Sequence, residues 1–424
     1  MRDFPRSDRP SLDPYLPPDG TDPDAPFKSN VPLSRSLTAS TLGSKPRTKA
    51  SAAVCAGAFV FNAVRLGSAS KSSASRPRRA VRPAAARASA SDASTVFFAG
   101  DIGGTNARLQ VWRTEKGETT LVFENTYGTG DHPTFESCVE DLYEDSGVDA
   151  SEVTAACFAV AGPVADDRCD MTNLSWVVDG PALAKKFGID AVKVINDFAA
   201  VGYGVLDLNP DEIVTLNEGN KDPVGPIAVL GPGTGLGEAM LFFDETLREY
   251  AVVPSEGSHA DFAPRGETQR ALLAYCEETL GGECEIEQVC CGSGIVRVYD
   301  FLRTYRAGGE EKPDLDPAGV TDAALDGTCD LCVEAVDIFL RILGAEAANL
   351  ALKCLATGGV YVAGGIPPRL MKIIGEDGGP LLEGFLHKKC RYAGVREGFP
   401  LKVILNDKIG LAGAKVFAMR QLHH

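Results

Sequence analysis

The chain of 424 residues is 44% hydrophobic and 24% charged, a composition typical of a globular protein with two or three domains. Its net charge is −16, and residues 96–424 are more acidic than the whole, with 27 Lys and Arg against 51 Asp and Glu; this acidity argues against a nucleic-acid-binding protein. The apolar run at residues 52–64 is shorter than the roughly 20 residues of a membrane-spanning helix, so we expect no membrane insertion.

The first 95 residues differ in composition from the rest of the chain. Residues 28–91 contain 12 Lys and Arg, no Asp or Glu, and many Ser and Ala. This composition is typical of an organelle transit peptide, and the abundance of Ser and Ala favours a plastid over a mitochondrion. A disordered tail without a targeting role, on a cytoplasmic protein, is the alternative. We therefore predict a disordered leader over residues 1–95 and a location in the chloroplast stroma.

From Thr95 onward, strand-like and helix-like segments alternate. Three strands are predicted at TVFFAG, RLQVWR and TTLVFENTY, and a helix follows at PTFESCVEDLYEDSG, where apolar residues recur at helical spacing. The next elements are a strand at AACFAVAGPV, a short helix at PALAKKFG that ends at Gly188, and a strand that turns helical within AVKVINDFAAVGYGV. This order predicts an α/β unit.

A second series of similar elements follows. It comprises strand, loop and strand at PIAVLGPGTGLGEAMLFF, a strand at REYAVV, helices at ETQRALLAYCEETLG and residues 322–357, a strand and helix at GGVYVAGGIPPRL, and a last strand and helix at LKVILNDKIGLAGAKVFAM. Both series contain two apolar strands joined by a glycine loop with a threonine, DIGGTN in the first and GPGTGLG in the second. We therefore predict a duplicated α/β architecture with a cleft between its halves.

The two glycine loops are suited to binding phosphate. Glycine lets backbone N–H groups approach an anion closely, and a threonine hydroxyl adds a further donor. Asp101 in the first loop would repel phosphate unless a cation lies between them, which predicts Mg²⁺ held by Asp101 through water. The alternative is two ordinary glycine hairpins with a solvated Asp101. A P-loop is excluded because GxxxxGK[ST] is absent, and a Rossmann fingerprint because Leu236 replaces its third glycine.

A second group of polar residues suits a ligand rich in hydroxyl groups. Asn196 and Asp197 end a predicted strand, where ligands gather in α/β sheets. Asp197 can accept a proton from a substrate hydroxyl, and it is also suited to cap the helix that begins at Phe198. Carboxylates and an imidazole in two later loops complete the group: Glu256, His259 and Glu287. Each alone is typical of a protein surface, but together they predict binding of a sugar.

The chain has 12 cysteines, including a lone CxxC at residues 329–332 within a predicted helix. We interpret this pair, and the adjacent Cys290 and Cys291, as packing residues, with a redox or metal-binding role for the CxxC as the alternative.

Six motifs occur in a fixed order, namely GDIGGTNARL, INDFAAV, GPGTGLG, PSEGSHADFAP, IEQVCCGSG and VAGGIPPR. With these motifs, residues 96–424 resemble the bacterial-type ATP-dependent glucokinases of the hexokinase–actin superfamily. The resemblance implies two ribonuclease-H-like α/β domains flanking an active-site cleft, the smaller at residues 96–208 completed by 405–424, and the larger at 209–404. It implies phosphorylation of D-glucose at the 6-hydroxyl, with ATP and Mg²⁺ as cofactors and glucose 6-phosphate and ADP as products.

The same resemblance implies a role for each matching residue, with Asp197 as the catalytic base. The implied sugar-binding residues are Asn196, Glu256, His259, Glu287 and Asn173. The implied phosphate- and ATP-binding residues are Gly100, Asp101, Gly103, Gly104, Thr105 and Asn106 in the first loop, Gly233, Thr234 and Gly235 in the second, and Gly364 and Gly365 near the adenosine. The sequence departs from many relatives at Ser258, where they have glycine, and at the CCG turn.

Three other functions fit parts of the pattern. They are a kinase for a different hexose, a catalytically silent sugar sensor, and an actin- or chaperone-like ATPase. The sensor would not need Asp197 and both glycine loops, and the ATPase would not need the sugar-binding residues. Because relatives are often homodimers, a homodimer is expected by analogy.

Overall fold

A computed structural model describes residues 94–171, 174–306 and 313–422 of the protein. The predicted leader, apart from its last two residues, and Asn173 lie outside the described residues. The strands in chain order are β1 (Thr95–Ile102), β2 (Asn106–Glu115), β3 (Glu118–Gly128), β4 (Val153–Val160), β5 (Arg168–Asp170), β6 (Val177–Asp179), β7 (Ala191–Asn196), β8 (Ile213–Asn217), β9 (Ile227–Pro232), β10 (Leu236–Asp244), β11 (Glu249–Ser255), β12 (Gly359–Val362) and β13 (Leu401–Ile404).

The helices in chain order are α1 (Phe135–Ser146), α2 (Gly180–Phe187), α3 (Asp197–Gly204), α4 (Gly266–Leu280), α5 (Gly292–Tyr305), α6 (Pro317–Asp326), α7 (Asp330–Cys354), α8 (Ile366–Arg369), α9 (Met371–Ile374), α10 (Gly379–Leu386), α11 (Ala393–Glu397) and α12 (Ile409–Gln421). Single 3₁₀ turns lie at Thr129–Asp131, Ala150–Glu152, Val205–Asp207, Pro210–Glu212, Gly257–His259 and Glu287–Val289.

The first sheet has the strand order β3-β2-β1-β4-β7, with β1, β4 and β7 parallel and the first three strands antiparallel. Alternate side chains of β1 point to opposite faces. Phe98 packs into a core with α1 and α2, whereas Phe97 and Ala99 pack against Leu411 and Ala414 of α12. Both faces of this sheet are therefore buried, which explains the nearly continuous apolar character of β1 and β4.

The second sheet has the order β11-β10-β9-β12-β13-β8. Its first five strands repeat the order and the directions of the first sheet. Ala228 and Leu230 of β9 join the core beneath α5 and α7, while Val229 faces Ile409 of α12 and partly buried residues of α3. This repetition agrees with the predicted duplication and with a mixed α/β fold of the actin and hexokinase type.

Helices α3 and α12 lie between the two sheets and touch closely. A Cβ atom at Gly413 of α12 would overlap the carbonyl oxygen of Ala200 on α3, and one at Gly204 would overlap that of Ile409. Glycine at these two positions lets the helix backbones meet. The contact matters for the site because α3 begins at Asp197, directly after the last strand of the first sheet.

The structure differs from the sequence expectations at several elements. The predicted helix over residues 322–357 is two helices, because Gly327 ends α6 in the left-handed conformation with φ of 66°. Cys329 then caps α7, its sulfur accepting the N–H of Cys332 at 3.4 Å. The buried Cys332 agrees with a packing role. The sequence analysis missed helix α5, strand β8 and the β5–β6 pair.

Among the described residues, no helix combines the length and apolar composition that crossing a membrane requires.

Candidate active site

Asp197 is the first residue of α3, immediately after β7. The side-chain oxygen of Asn196 accepts the N–H groups of Phe198 at 2.9 Å and Ala199 at 3.1 Å, so Asn196 is the N-cap. This corrects the expectation that Asp197 caps a helix beginning at Phe198. Since Asn196 satisfies the first N–H groups of the helix, the Asp197 carboxylate is not required for capping.

The environment of Asp197 favours its protonated form more than water does. Burial raises the pKa of its carboxyl to about 6, and the nearby negative charge of Asp101 contributes in the same direction. The N–H of Phe198, 2.8 Å from Oδ1 of Asp197, acts in the opposite direction. A pKa close to physiological pH suits a group that accepts and releases a proton.

Asp101 occupies the end of β1, opposite Arg108 of β2. Burial raises the pKa of the Asp101 carboxyl, while the Arg108 guanidinium, 3.7 Å from Oδ2, lowers it. Because Asp101 in turn raises the pKa of Asp197, the structure brings the two carboxyls into one electrostatic site. Asp101 and Asp197 were both predicted as site residues from the sequence. Arg108 lies in the motif GDIGGTNARL, but no role was predicted for it.

The first glycine loop turns tightly after Asp101. The N–H of Gly103 donates to the carbonyl of Asn106 at 2.9 Å. Two hydrogen bonds from Thr129, which lies after β3, stabilise the loop. Its N–H donates to Thr105 O and its hydroxyl donates to Gly104 O. Gly104, Thr105 and Asn106 are exposed, and the hydrogen bonds from Thr129 fix the backbone of this loop. Exposed N–H groups on a fixed backbone are what binding of an anion requires.

Gly100 is placed differently from the other glycines predicted to bind phosphate. It lies inside β1 and is buried, and a Cβ atom there would be 2.7 Å from the side chains of Leu109 and Phe158. The close packing of the core at position 100, one residue before Asp101, therefore accounts for the glycine there.

The second glycine loop joins β9 to β10. The N–H of Gly233 donates to Gly235 O at 2.7 Å, and Gly233 O accepts the N–H of Gly292 at the start of α5. Thr234 is exposed at the tip. Glu287 closes the loop from the side, since its Oε2 accepts the N–H of Leu236 at 2.8 Å.

Two further contacts connect other parts of the site to the second glycine loop, one made by Phe198 and the other by Gly364. A Cβ atom at Gly237 would overlap the Phe198 ring, so the residue after Asp197 packs directly on β10. Gly364 follows β12 with φ of 86°, and a Cβ atom there would overlap the carbonyl oxygen of Pro232. Gly365 is exposed just before α8. The left-handed turn therefore sets the end of β12 beside the second glycine loop.

His259 lies in a loop over residues 255–261, which we call the His259 loop. Its Nδ1 is 2.9 Å from Oε2 of Glu285, and its Nε2 is 3.8 Å from Oε2 of Glu256, whose side chain is 84% exposed. The hydrogen bond with Glu285 raises the pKa of the His259 imidazole, and the charge of Glu287 adds to this.

Glu285 is a site residue that the sequence analysis missed. Two backbone hydrogen bonds, Phe262 N–H to Cys284 O and Ile286 N–H to Ala260 O, align its segment with the His259 loop. Residues 283, 285 and 287 are all glutamates, and their spacing does not indicate which of them meets His259. Which glutamate contacts His259 is determined by backbone pairing between distant parts of the chain.

The described site residues thus form three connected groups. They are the carboxyl pair of Asp101 and Asp197, the second glycine loop with Glu287 and Gly364, and the His259 loop with Glu285. Phe198 links the first group to the second, and the charge of Glu287 on His259 links the second to the third. Asn173 lies outside the described residues.

Comparison with known proteins identifies the family to which this arrangement belongs. The family model for glucokinases matches residues 98–421. A glucokinase of Synechocystis is 39% identical over 350 residues, which cover 76% of this chain and 97% of the relative, and a glucokinase of a Nostoc species is 38% identical over 346 residues, with 77% and 99% covered. The chain belongs to the glucokinase family.

A solved structure agrees with this assignment. The crystal structure of a glucokinase from an Antarctic psychrotroph superposes with a TM-score of 0.67 at 28% sequence identity, and the match covers 77% of this chain and 99% of that one.

Proposed function

We infer that the protein is a glucokinase, which transfers the γ-phosphoryl group of ATP to the 6-hydroxyl of D-glucose and releases glucose 6-phosphate and ADP. The observation that carries this inference is the carboxyl pair of Asp101 and Asp197 beside two glycine loops, in a chain of the glucokinase family. The relatives that are 38% and 39% identical over most of this chain are themselves glucokinases.

The two similar sheets support a division into two ribonuclease-H-like domains around an active-site cleft. We propose that the smaller domain comprises residues 96–208 and 405–424 and that the larger one comprises 209–404. The packing of α12 on the first sheet supports the return of the chain terminus to the smaller domain. In this arrangement, closure of the cleft on glucose would exclude water, which otherwise accepts the phosphoryl group.

Asp197 is proposed as the general base. Its carboxylate takes the proton of the glucose 6-hydroxyl as the oxygen attacks the γ-phosphorus, and it starts from a pKa of about 6 that burial provides. Asn196, besides capping α3, is proposed to bind the sugar. The other proposed sugar ligands are Glu256, His259, Glu287 and Asn173.

The glycine loops are proposed to bind ATP. The exposed Gly104, Thr105 and Asn106 and the exposed Thr234 with Gly233 and Gly235 offer backbone and hydroxyl donors to the phosphates. Gly364 and Gly365 are proposed to lie near the adenosine. Positioning and charge neutralisation supply most of the catalysis in phosphoryl transfer, and both loops contribute to them.

Magnesium fits the residues at the first loop. Asp101 supplies a carboxylate beside a phosphate-binding loop, and within the described ranges no group of three or more His, Cys, Asp or Glu side chains is placed to hold a metal ion. A single protein carboxylate combined with phosphate oxygens and water is the usual magnesium environment in kinases. Asp101 would hold the ion, which when bound neutralises charge on the phosphates.

Product analysis with a panel of sugars tests the proposed function. The protein with MgATP is expected to convert D-glucose to glucose 6-phosphate, with one ADP per sugar phosphate, and to give a lower kcat/KM with D-mannose and N-acetylglucosamine. If another hexose gives a higher kcat/KM than D-glucose, that hexose and not glucose is the preferred substrate. Binding of glucose without any product would indicate the sugar sensor.

We also propose that residues 1–95 direct the protein to the chloroplast stroma. The basic, acid-free composition of residues 28–91 supports this proposal. A fusion of residues 1–95 to a fluorescent protein is expected to enter plastids in a photosynthetic host cell, and fluorescence in the cytoplasm or in mitochondria would contradict the proposal.

A homodimer is proposed by analogy with the family, and light scattering coupled to gel filtration measures it. A mass close to one chain would contradict the proposal.

A further inference from the structure

A buried carboxyl group outside the proposed machinery lies close to the site. Glu238 is on β10, directly after the second glycine loop, and is only 1% exposed. In the described part of the chain, neither of its side-chain oxygens has a hydrogen-bond partner. An ionised carboxylate that is buried without donors is strongly disfavoured, so this position favours a neutral, protonated side chain.

The Glu238 carboxyl lies beneath the His259 loop. Glu238 pairs with Ser255 across β10 and β11, and a Cβ atom at Gly257 would overlap Oε2 of Glu238. The loop backbone is therefore in direct contact with the acid, and any side chain larger than glycine at position 257 would displace one of them.

The His259 loop offers few donors that a carboxylate could use. The N–H of Gly257 donates to the Ser255 hydroxyl at 3.0 Å, that of His259 to Glu256 O at 3.1 Å, and that of Ala260 to Gly257 O at 3.0 Å. These three donors are occupied within the loop itself. An ionised Glu238 could accept one of these three N–H groups only if the bond that the group makes within the loop were broken.

The other charged and titratable groups around Glu238 come from α7 and from the segment after Glu287. Glu346 of α7 is 6% exposed and is held by Asn349 at 3.0 Å and by Lys353 at 3.8 Å. Burial raises the pKa of the Cys290 thiol, and the negative charges of Glu346 and Glu238 both raise it further. Burial and, to a smaller extent, the charge of Glu346 together raise the pKa of Glu238 to about 7, while the charge of Lys353 acts in the opposite direction.

We propose that Glu238 is a positioning residue for glucose binding: its protonated carboxyl supports the His259 loop in the geometry that receives the sugar, and its ionisation disturbs that loop. The proposal rests on the proposed function, because it assigns the His259 loop to the sugar. Glu238 touches neither sugar nor nucleotide in this account. It acts through the backbone at Gly257, next to Glu256 and His259.

The sign of the pH effect follows from this arrangement. At pH values below about 7 the carboxyl is neutral and the loop is competent, whereas at higher pH an increasing fraction of molecules carries the unpaired charge. If only the protonated form receives glucose, the KM for glucose rises about fivefold between pH 7 and pH 8. The change belongs to KM because Asp197 and the glycine loops are not altered.

Three forms of the full chain test the proposal, namely the wild type, Glu238→Gln and Glu245→Gln. Glutamine keeps the size of Glu238 but cannot ionise. Glu245 is 76% exposed in the turn of the same β10–β11 hairpin and serves as the matched control. The glucose KM and kcat are measured from pH 6 to pH 9 at saturating MgATP, and the KM for MgATP is measured in parallel.

We expect the glucose KM of the wild type and of Glu245→Gln to rise about fivefold from pH 7 to pH 8, and that of Glu238→Gln to stay within twofold. The same rise in Glu238→Gln as in the wild type would overturn the proposal, and so would a wild-type glucose KM that does not change with pH. A Glu238→Gln chain with a raised but equally pH-dependent KM would indicate a purely structural role and would also overturn it.

A second variant and a second readout cover the remaining cases. If Glu238→Gln does not fold, Glu346→Gln is used, and the rise in KM is expected to move to lower pH, because Glu238 ionises more readily once the negative charge of Glu346 is removed; an unmoved rise would overturn the proposal. If the wild type phosphorylates no sugar, the proposed function fails, and calorimetric glucose binding over the same pH range still decides the role of Glu238 by the same criterion.

Discussion

At residue 197 a carboxyl group stands between a capping amide on one side and an aromatic ring on the other. Asn196 satisfies the helix N-terminus, and Phe198 packs against β10 beside the second glycine loop. The carboxyl is thereby held in place by its two neighbours in sequence, while burial and Asp101 set its pKa. This division of roles leaves the carboxylate available for proton transfer.

Replacement of this carboxyl by an amide tests its role as the base. Asp197→Asn is expected to lower kcat by about 10²- to 10⁴-fold, because asparagine cannot accept the proton, with a change in glucose KM of only a few-fold. Asp190→Asn, at an exposed position just before β7, is the control and is expected to retain wild-type kcat. Steady-state kinetics at saturating MgATP measures both, and near-normal turnover by Asp197→Asn would refute the assignment.

The pKa of Asp197 also predicts a limb in the pH–rate profile. The base acts in its ionised form, and burial raises its pKa to about 6, so kcat/KM for glucose should fall as the pH drops through about 6. Rates at subsaturating glucose between pH 5 and pH 7 measure this limb. A profile that stays level down to pH 5 would mean that Asp197 is not the titrating base.

The site residues that the sequence motifs indicated are those whose positions depend on local sequence signals. Asp101 and Asn196 lie at the ends of strands and Asp197 directly follows one, and these strand ends can be predicted from the sequence. Glu285 and Glu238 were missed because their roles depend on which distant segment packs against them. Glu285 reaches His259 through a backbone pairing of their two segments, and Glu238 lies against the His259 loop and within the electrostatic influence of Glu346 of α7.

At the scale of elements, the contact between α3 and α12 holds the helix that carries Asp197. Gly413→Ala would place a methyl group on the carbonyl oxygen of Ala200 and is expected to reduce the free energy of unfolding by about 1–3 kcal/mol. Urea denaturation measures the change. Gly394→Ala in α11, where a Cβ atom meets nothing within 4 Å, is the control and should be neutral or slightly stabilising. Equal stability of the two variants would contradict the close contact.

Glu287 contacts the second glycine loop, and its charge also acts on His259, which is proposed to bind the sugar. Since its carboxylate accepts the Leu236 N–H, Glu287→Ala is expected to raise the KM for both MgATP and glucose, each by about 1–3 kcal/mol of lost binding, or roughly five- to 150-fold. Glu285→Ala, which removes only the partner of His259, should raise the KM for glucose and leave that for MgATP unchanged. An unchanged MgATP KM in Glu287→Ala would contradict this coupling.

Elements with a clear period or a strong end signal were predicted well from sequence. Helix α1 has its apolar residues at helical spacing, and α2 ends at Gly188 in the left-handed conformation. Helix α5 was missed because it begins at Gly292 within a turn rich in cysteine and glycine. The break at Gly327 was missed because apolar residues continue on both sides of it.

At the scale of the whole molecule, the same five-strand order occurs in both sheets, and each sheet carries one glycine loop between two antiparallel strands, β1 and β2 in the first and β9 and β10 in the second. The similarity of DIGGTN and GPGTGLG therefore predicted the duplication correctly. The strand order itself, with β2 and β3 on one side of β1 and β4 on the other, follows from long-range pairing that local patterns do not contain. Family membership, in contrast, depends on the whole ordered set of motifs.

The central claim is that this molecule moves phosphate from ATP to glucose. The most direct test is the initial rate of ADP formation by the protein with saturating MgATP, measured with and without D-glucose. We expect ADP formation to depend on glucose and to be accompanied by an equal amount of glucose 6-phosphate. The same rate of ADP formation without glucose would identify an ATPase and contradict the account.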